Sequence, residues 1–273
     1  MWLTVNRVLN AIFDLFLWPV QSFSSEWQVL VLSFPVAVLA LIVFRSTSNQ
    51  TSIVRTKNKI SAYFLELRLY RDDIKVIVRA LGRVFKHIVI YMRLAIVPMA
   101  VMIVPFALVL IQVESRFAFD SFENGDAMIL GVIVDGAKPI RQPLVELSLP
   151  EGLSNETPVL RVESTRELLW RLRASAPGDY QIGIEIGADR VEKRVVVGRQ
   201  DISVSPKVFR ANDVRTLVYP MEPALDRGAE AVTIHLDYPR SGGLAGLSTE
   251  SWILFGGSLL FGFAMRGLFD VNF

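Results

Sequence analysis

Residues 94–111 read LAIVPMAVMIVPFALVLI, an apolar run without a single charged side chain. A segment of this length and composition matches the roughly 17–25 residues a helix needs to cross a bilayer. Working backward, a second run at 29–44, VLVLSFPVAVLALIVF, ends at Arg45 and reaches the short end of that range when counted from Trp27. Between the two runs lie Arg45, Arg55, Lys57, Lys59, Arg68, Arg71, Lys75, Arg79, Arg83 and Lys86, opposed only by Glu66, Asp72 and Asp73. Short loops this basic remain on the cytoplasmic side, so the first run is expected to pass inward and the second back outward.

The remaining composition narrows the class. The chain has 273 residues, 52% of them hydrophobic, and a mean hydropathy of +0.40. That is apolar for a soluble protein and polar for one made of spans alone. The net charge of +2 conceals a basic loop at 45–87 and an acidic excess over 114–247. A nucleic-acid binder places its positive charge on a folded domain. Here the charge adjoins a membrane segment, where topology and anionic lipid account for it, so no specific nucleic acid is expected as a partner. Cysteine is absent, which excludes disulfides, thiol catalysis and cysteine-held metal clusters. His87 and His235 are the only histidines and fall on opposite sides of the expected bilayer, so no metal site and no cofactor are expected.

Read in order, residues 1–26 hold an amphipathic helix expected to lie at the membrane interface. Asn6, Arg7, Asn10 and Asp14 share one face and apolar side chains cover the rest, with Trp18 and Trp27 suited to the headgroup zone and Pro19 ending the helix. The alternative is a helix packed on the protein's own outer domain. No basic cluster, clean apolar core and small-residue cleavage site mark the N-terminus as a removable signal. The first span covers 27–45, with Pro35 expected to kink it.

Residues 46–87 show apolar positions at spacings of three and four: Ile60, Tyr63, Leu67, Tyr70, Ile74, Ile77, Leu81, Val84 and Ile88. This is a coiled-coil seam, read as an antiparallel hairpin with arms at 50–70 and 73–88 and with Asp72 or Asp73 capping the second arm. One long helix ending in a loop is the other reading. The second span occupies 88–113, with Arg93 one turn inside it.

From 114 to 247 the apolar period becomes two. Strands are expected at 129–134, 144–149, 168–172, 180–186 and 191–197, with a further pair at 215–219 and 231–236, separated by turns such as Asp135-Gly136 and Gly187-Ala188-Asp189. Their spacing predicts an extracytoplasmic antiparallel β-sandwich, immunoglobulin-like in general architecture. A third, short span is expected at 248–268, with residues 269–273 as a cytoplasmic tail; a re-entrant or interfacial helix is the alternative. Gly256, Gly257, Ser258 and Gly262 give it a small face for helix packing. The fold class is thus an α+β membrane protein: three transmembrane helices, a cytoplasmic helical hairpin and an outer β domain.

No catalytic constellation emerges, and no catalytic residue is expected. The chain lacks GxSxG, HExxH, P-loop and GxGxxG patterns. Glu185, Asp189 and Glu192 offer only weak cation binding, while Trp170 is expected in the sandwich core and His235 is expected to be a structural or surface histidine. The polar groups of interest stand at span ends: Arg45, Ser46, Asn49, Gln50, Arg93 and Gln112. Near-embedded charges are functional candidates; these line a polar groove or simply anchor the helices.

The order of elements resembles a known family. An interfacial stretch containing Phe16-Leu17-Trp18-Pro19, a first span ending in Phe44-Arg45, a basic helical hairpin and a returning span is similar to the YidC-type membrane protein insertases, including the three-span relatives and the core insertase subunits of the ER membrane complex. The resemblance covers residues 5–112 and the last span; the β region between the last two spans stands where those proteins carry a short connection. It implies an inner (plasma) membrane protein with an external N-terminus and a groove open to the cytoplasm, in which Arg45 takes the place of the family's groove arginine. It also implies assistance to membrane-protein insertion without covalent catalysis, and a basic hairpin that meets a ribosome, a nascent chain or anionic lipid. The competing expectations are a non-catalytic scaffold or accessory subunit of a larger membrane complex, whose β domain binds partners, and an enzyme or transporter, against which the lack of convergent titratable residues argues.

Overall fold

The computed structural model describes residues 2–70, 72–136, 145–187, 189–199 and 202–271. Arg71, Leu144, Ala188 and the last two residues of the expected tail lie outside the described residues. The molecule is α+β, with five α-helices and antiparallel sheets among the described residues. It divides into two units: Met1–Val29 with Leu110–Trp252, and Leu30–Val109 with Ile253–Phe273.

The second unit is helical. It holds most of α2 (Ser25–Thr47), all of α3 (Gln50–Leu69), α4 (Ile74–Phe117) up to Val109, and α5 (Thr249–Met265) from Ile253. By length and apolarity α2 and α4 suffice to cross a membrane. Only 6% of the apolar window of α4 is buried, whereas a core helix of a soluble protein hides such a window. Pro35 interrupts the hydrogen bonding of α2, and Pro98 and Pro105 that of α4, without ending either helix. Helices α2 and α5 meet where Gly257 lies over Ser33 and Leu30, and Phe34 meets Phe261 edge-on at 5.6 Å.

Helices α3 and α4 form an antiparallel hairpin. Asn49 opens α3 by accepting from Ser52 N at 3.0 Å, and Asp73 opens α4 by accepting from Lys75 N at 2.9 Å and Val76 N at 3.3 Å. The second arm does not stop at 88. It continues unbroken into the apolar stretch of α4, so the boundary drawn there by composition is no break in the backbone.

The first unit is built on two sheets. One runs β3 (Leu153–Asn155), β5 (Glu167–Ala174), β1 (Ala127–Val134), β9 (Ala231–Leu236) and β8 (Lys207–Phe209), with β4 (Leu160–Val162) also on β5. The other runs β2 (Val145–Ser148), β6 (Gly178–Ile186) and β7 (Asp189–Val197). Both contribute to one core: Met128, Leu130, Leu168, Trp170 and Ile234 from the first, Ile182, Ile184, Val195 and Val197 from the second. A small hairpin of β10 (Gly243–Leu244) and β11 (Leu247–Ser248) leads into α5. The strand expected at 215–219 is absent; Asp213 instead caps a 3-10 helix, Val214–Leu217, by accepting from Arg215 N at 2.8 Å. Such aspartate-headed turns satisfy the backbone locally and preclude a ladder.

Helix α1 (Trp2–Leu17) belongs to this unit and sits with inverted polarity. Asn6 donates to Thr216 O at 2.6 Å, Asn10 to Pro220 O at 3.0 Å, and Asp14 pairs with Arg116 at 2.8 Å. The polar face therefore docks on the protein's own β unit; the alternative reading placed the helix on the outer domain without saying which face would meet it. Leu3, Val8, Ile12, Leu15 and Phe16 point away from it and are exposed, as are Trp18, Phe23 and Trp27 beyond the helix.

Candidate functional site

The polar groups expected to line a groove are mostly engaged in closing helix ends. Ser46 Oγ donates to Val43 O at 2.9 Å within α2, Asn49 caps α3, and Gln50 Nε2 donates to Ser48 Oγ at 2.6 Å. Arg45 and Arg93 are exposed. Gln112 lies in the other unit, is fully buried, and neither its amide nitrogen nor its oxygen has a partner. The structure thus gathers Ser46, Asn49 and Gln50 around the α2–α3 turn. Of the small face on α5, only Gly257 is used: a Cβ there would approach Ser33 Cβ to 3.0 Å, while Gly256 and Gly262 have open space and Ser258 donates back to Phe255 O.

The hairpin is held by side-chain contacts between its two arms. Across it, Arg83 reaches Glu66 at 3.4 Å and lies 5.7 Å from the Tyr63 ring centre, and the His87 ring stands 5.2 Å from that of Tyr63. Ile53, Thr56, Ala80 and Val84 are buried. The expected single seam is corrected here. Val84 is buried and Ile60, Tyr63, Leu67 and Ile77 are half-buried, whereas Tyr70, Ile74, Leu81 and Ile88 are exposed. The second arm accordingly presents two apolar faces, one spent on α3 and one facing out.

Two polar centres in the other unit carry its architecture. At the first, Glu114 Oε1 accepts from Ser248 N at 2.7 Å, Ser248 Oγ at 3.0 Å and Ser251 Oγ at 2.6 Å, and Oε2 accepts from Arg240 at 2.9 Å. A carboxylate at the start of α5 suits the positive end of its dipole. At the second, Lys193 is fully buried and its ammonium donates to Glu222, to Ser205 O at 2.6 Å and to Arg194 O at 3.4 Å. Burial pushes this amine below the ordinary lysine range, with the Glu222 carboxylate pulling the other way. The Tyr238 hydroxyl accepts from Val196 N at 3.1 Å, and burial raises it well above the usual phenol. Asp179 is held below the usual carboxylate range by its bidentate contact with Arg194.

Neither centre is among the residues expected from the sequence, although the strand of Lys193 carries a signal for it. In β7, residues 191, 193 and 195 point inward, so the alternation puts a lysine in the core and demands a partner. Glu222 lies in a loop and gives no comparable signal. Glu185 and Glu192 are tied to Arg190, and among the described residues no group of three or more acidic or histidine side chains is placed to hold a metal. Trp170 is buried in the β core, and His235 Nε2 lies 3.2 Å from Glu167. No family model matches the chain, and no curated protein matches it.

Proposed function

We propose that the chain is a multi-pass membrane protein of insertase-like arrangement that assists the insertion or assembly of other membrane proteins by non-covalent contact. The observation that carries the membrane part is the exposed apolar window of α4, for which lipid is the natural solvent. The arrangement is supported by element order: interfacial helix, span, basic hairpin continuous with a returning span, and a closing helix. In this reading α5, short at 17 residues, is the third span, helped by local thinning of the bilayer. The β unit is a two-sheet, immunoglobulin-like sandwich on the extracytoplasmic side of the inner membrane, and the hairpin and C-terminus are cytoplasmic. Helix α1 lies at the outer interface, pinned by its asparagines so that Leu15 and Phe16 enter the acyl boundary.

A second reading, an accessory subunit of a larger membrane complex, is favoured by one observation: Ser46, Asn49 and Gln50 are engaged at helix ends, which leaves Arg45 and Arg93 as the groove's polar lining. Depletion followed by quantitative proteomics of the membrane separates the two. Insertase-like action predicts loss of many unrelated membrane proteins. Loss confined to the members of one complex assigns the accessory role and overturns the first.

A further inference from the structure

The outward face of the hairpin's second arm carries an apolar row at helical spacing: Ile74, Val78, Leu81, Phe85, Ile88 and Met92, each between 37 and 76% exposed. Steps of four, three, four, three and four residues keep it in line along α4, as in a coiled-coil seam awaiting its partner. The face spent on α3 is different, since Ala80 and Val84 are buried. Alongside the exposed row, roughly a quarter-turn or more around the helix, run Lys75, Arg79, Lys86 and Arg93, all exposed. No acidic residue occurs in α4 before Glu114.

We propose that this face docks an amphipathic helix of another protein, one carrying an acidic row beside its own apolar row. Shape and charge both select that occupant. An apolar row with three-four spacing is filled best by another helix, whose ridges fit between its side chains. The unrelieved positive flank asks for carboxylates in return. A second copy is disfavoured because it would bring together two hairpins, each with ten basic and three acidic residues over 45–87. For the part of the row from Ile74 to Phe85 lipid is disfavoured by length, a point that rests on the membrane reading above. At 44 residues α4 is about 66 Å long, against a hydrocarbon core of roughly 30 Å. Ile88 and Met92 fall within the expected span at 88–113 and continue the row into the bilayer, so the docking face is its part from Ile74 to Phe85, which stands clear of that core.

The test exploits the absence of cysteine. The full chain carrying Phe85→Cys is labelled with bimane and reconstituted in phosphatidylcholine vesicles. The probes are two designed helical peptides of about three heptads, identical in their leucine seam and flanked by glutamate in one and lysine in the other. The expected result is saturable binding of the glutamate peptide, with a blue-shifted label and at least tenfold weaker binding of the lysine peptide. Val78→Asp combined with Leu81→Asp, both at exposed positions, is expected to abolish it. Equal binding of both peptides, or binding unchanged in the double variant, overturns the proposal. So does quenching of the label by brominated lipid, which assigns lipid as the occupant, or disulfide cross-linking of two unlabelled copies through the thiol introduced at position 85, which assigns a second copy. Carbonate-resistant association of the same chain with vesicles reports the membrane reading separately: if it fails, that reading falls; if it holds while peptide binding fails, only this inference falls.

Discussion

At Glu114, one carboxylate receives the Ser248 amide, two serine hydroxyls and the Arg240 guanidinium. Removing it leaves two buried donors, the Ser248 N–H and the Ser251 hydroxyl, without this acceptor at the start of α5, while the half-exposed Arg240 turns to water. Each orphaned donor costs about 1–3 kcal/mol, so Glu114→Ala is expected to destabilise the chain by about 2–4 kcal/mol, read as a lowered melting temperature in detergent. An unchanged melting temperature rules out this role. The Lys193–Glu222 pair behaves differently. Lys193→Met strands a carboxylate whose side chain is 11% exposed and is expected to cost about 3–5 kcal/mol, while the double variant Lys193→Met/Glu222→Leu recovers most of it, because apolar replacement of a whole buried pair is close to neutral. A double variant worse than the single one contradicts this.

The lysine also sets a pH dependence. Its folded pKa lies below the unfolded value, so the folded state binds fewer protons between the two, and stability rises with pH across that window up to about 10.4. Wild type measured against Lys193→Met should therefore gain in relative stability from neutral pH toward pH ~10. A flat difference means the amine is not depressed. Of these two centres, Lys193 has a sequence signal, because strand alternation turns it inward. Glu114 has none: its partners Ser248 and Ser251 lie more than a hundred residues away, and no local pattern announces so distant a cap.

Among elements, periodicity predicted what is long and missed what is short. The expected strands at 129–134, 168–172, 180–186, 191–197 and 231–236 are all found with modest changes at their ends, because each alternates against a buried face. Strands β3, β4 and β8 have three residues each, too few for a period to register. Residues 215–219 have strand-like composition, yet Asp213 folds the backbone into a 3-10 turn first. The hairpin seam was half legible. Composition cannot say which of two adjacent apolar rows on α4 meets α3, since both have the same spacing. The small residues of α5 were likewise indistinguishable in sequence, and only Gly257 meets a neighbour closely. Gly257→Leu is expected to wedge α2 and α5 apart and lower the melting temperature. Gly262→Ala, with open space around it, should be neutral or stabilising by up to about 1 kcal/mol through helix propensity. Equal effects of the two substitutions would show that α5 does not pack on α2 through this contact.

At the scale of the whole molecule, the proposed function requires the bilayer to separate the basic hairpin from the β unit. Charge asymmetry is the sequence signal for that separation: ten basic residues against three acidic over 45–87, and sixteen against twenty over 114–247. The inverted docking of α1 was beyond sequence, because an amphipathic pattern gives two faces without saying which one meets protein. The most direct test uses the cysteine-free chain. Two single-cysteine forms are made, Ser61→Cys on the exposed face of α3 and Glu151→Cys in an exposed turn of the β unit. Each is treated with a membrane-impermeant maleimide in sealed, right-side-out vesicles. The proposed topology predicts immediate labelling at position 151 and labelling at position 61 only after detergent opens the vesicles; labelling at 61 with protection at 151, or equal labelling of both before detergent, contradicts it.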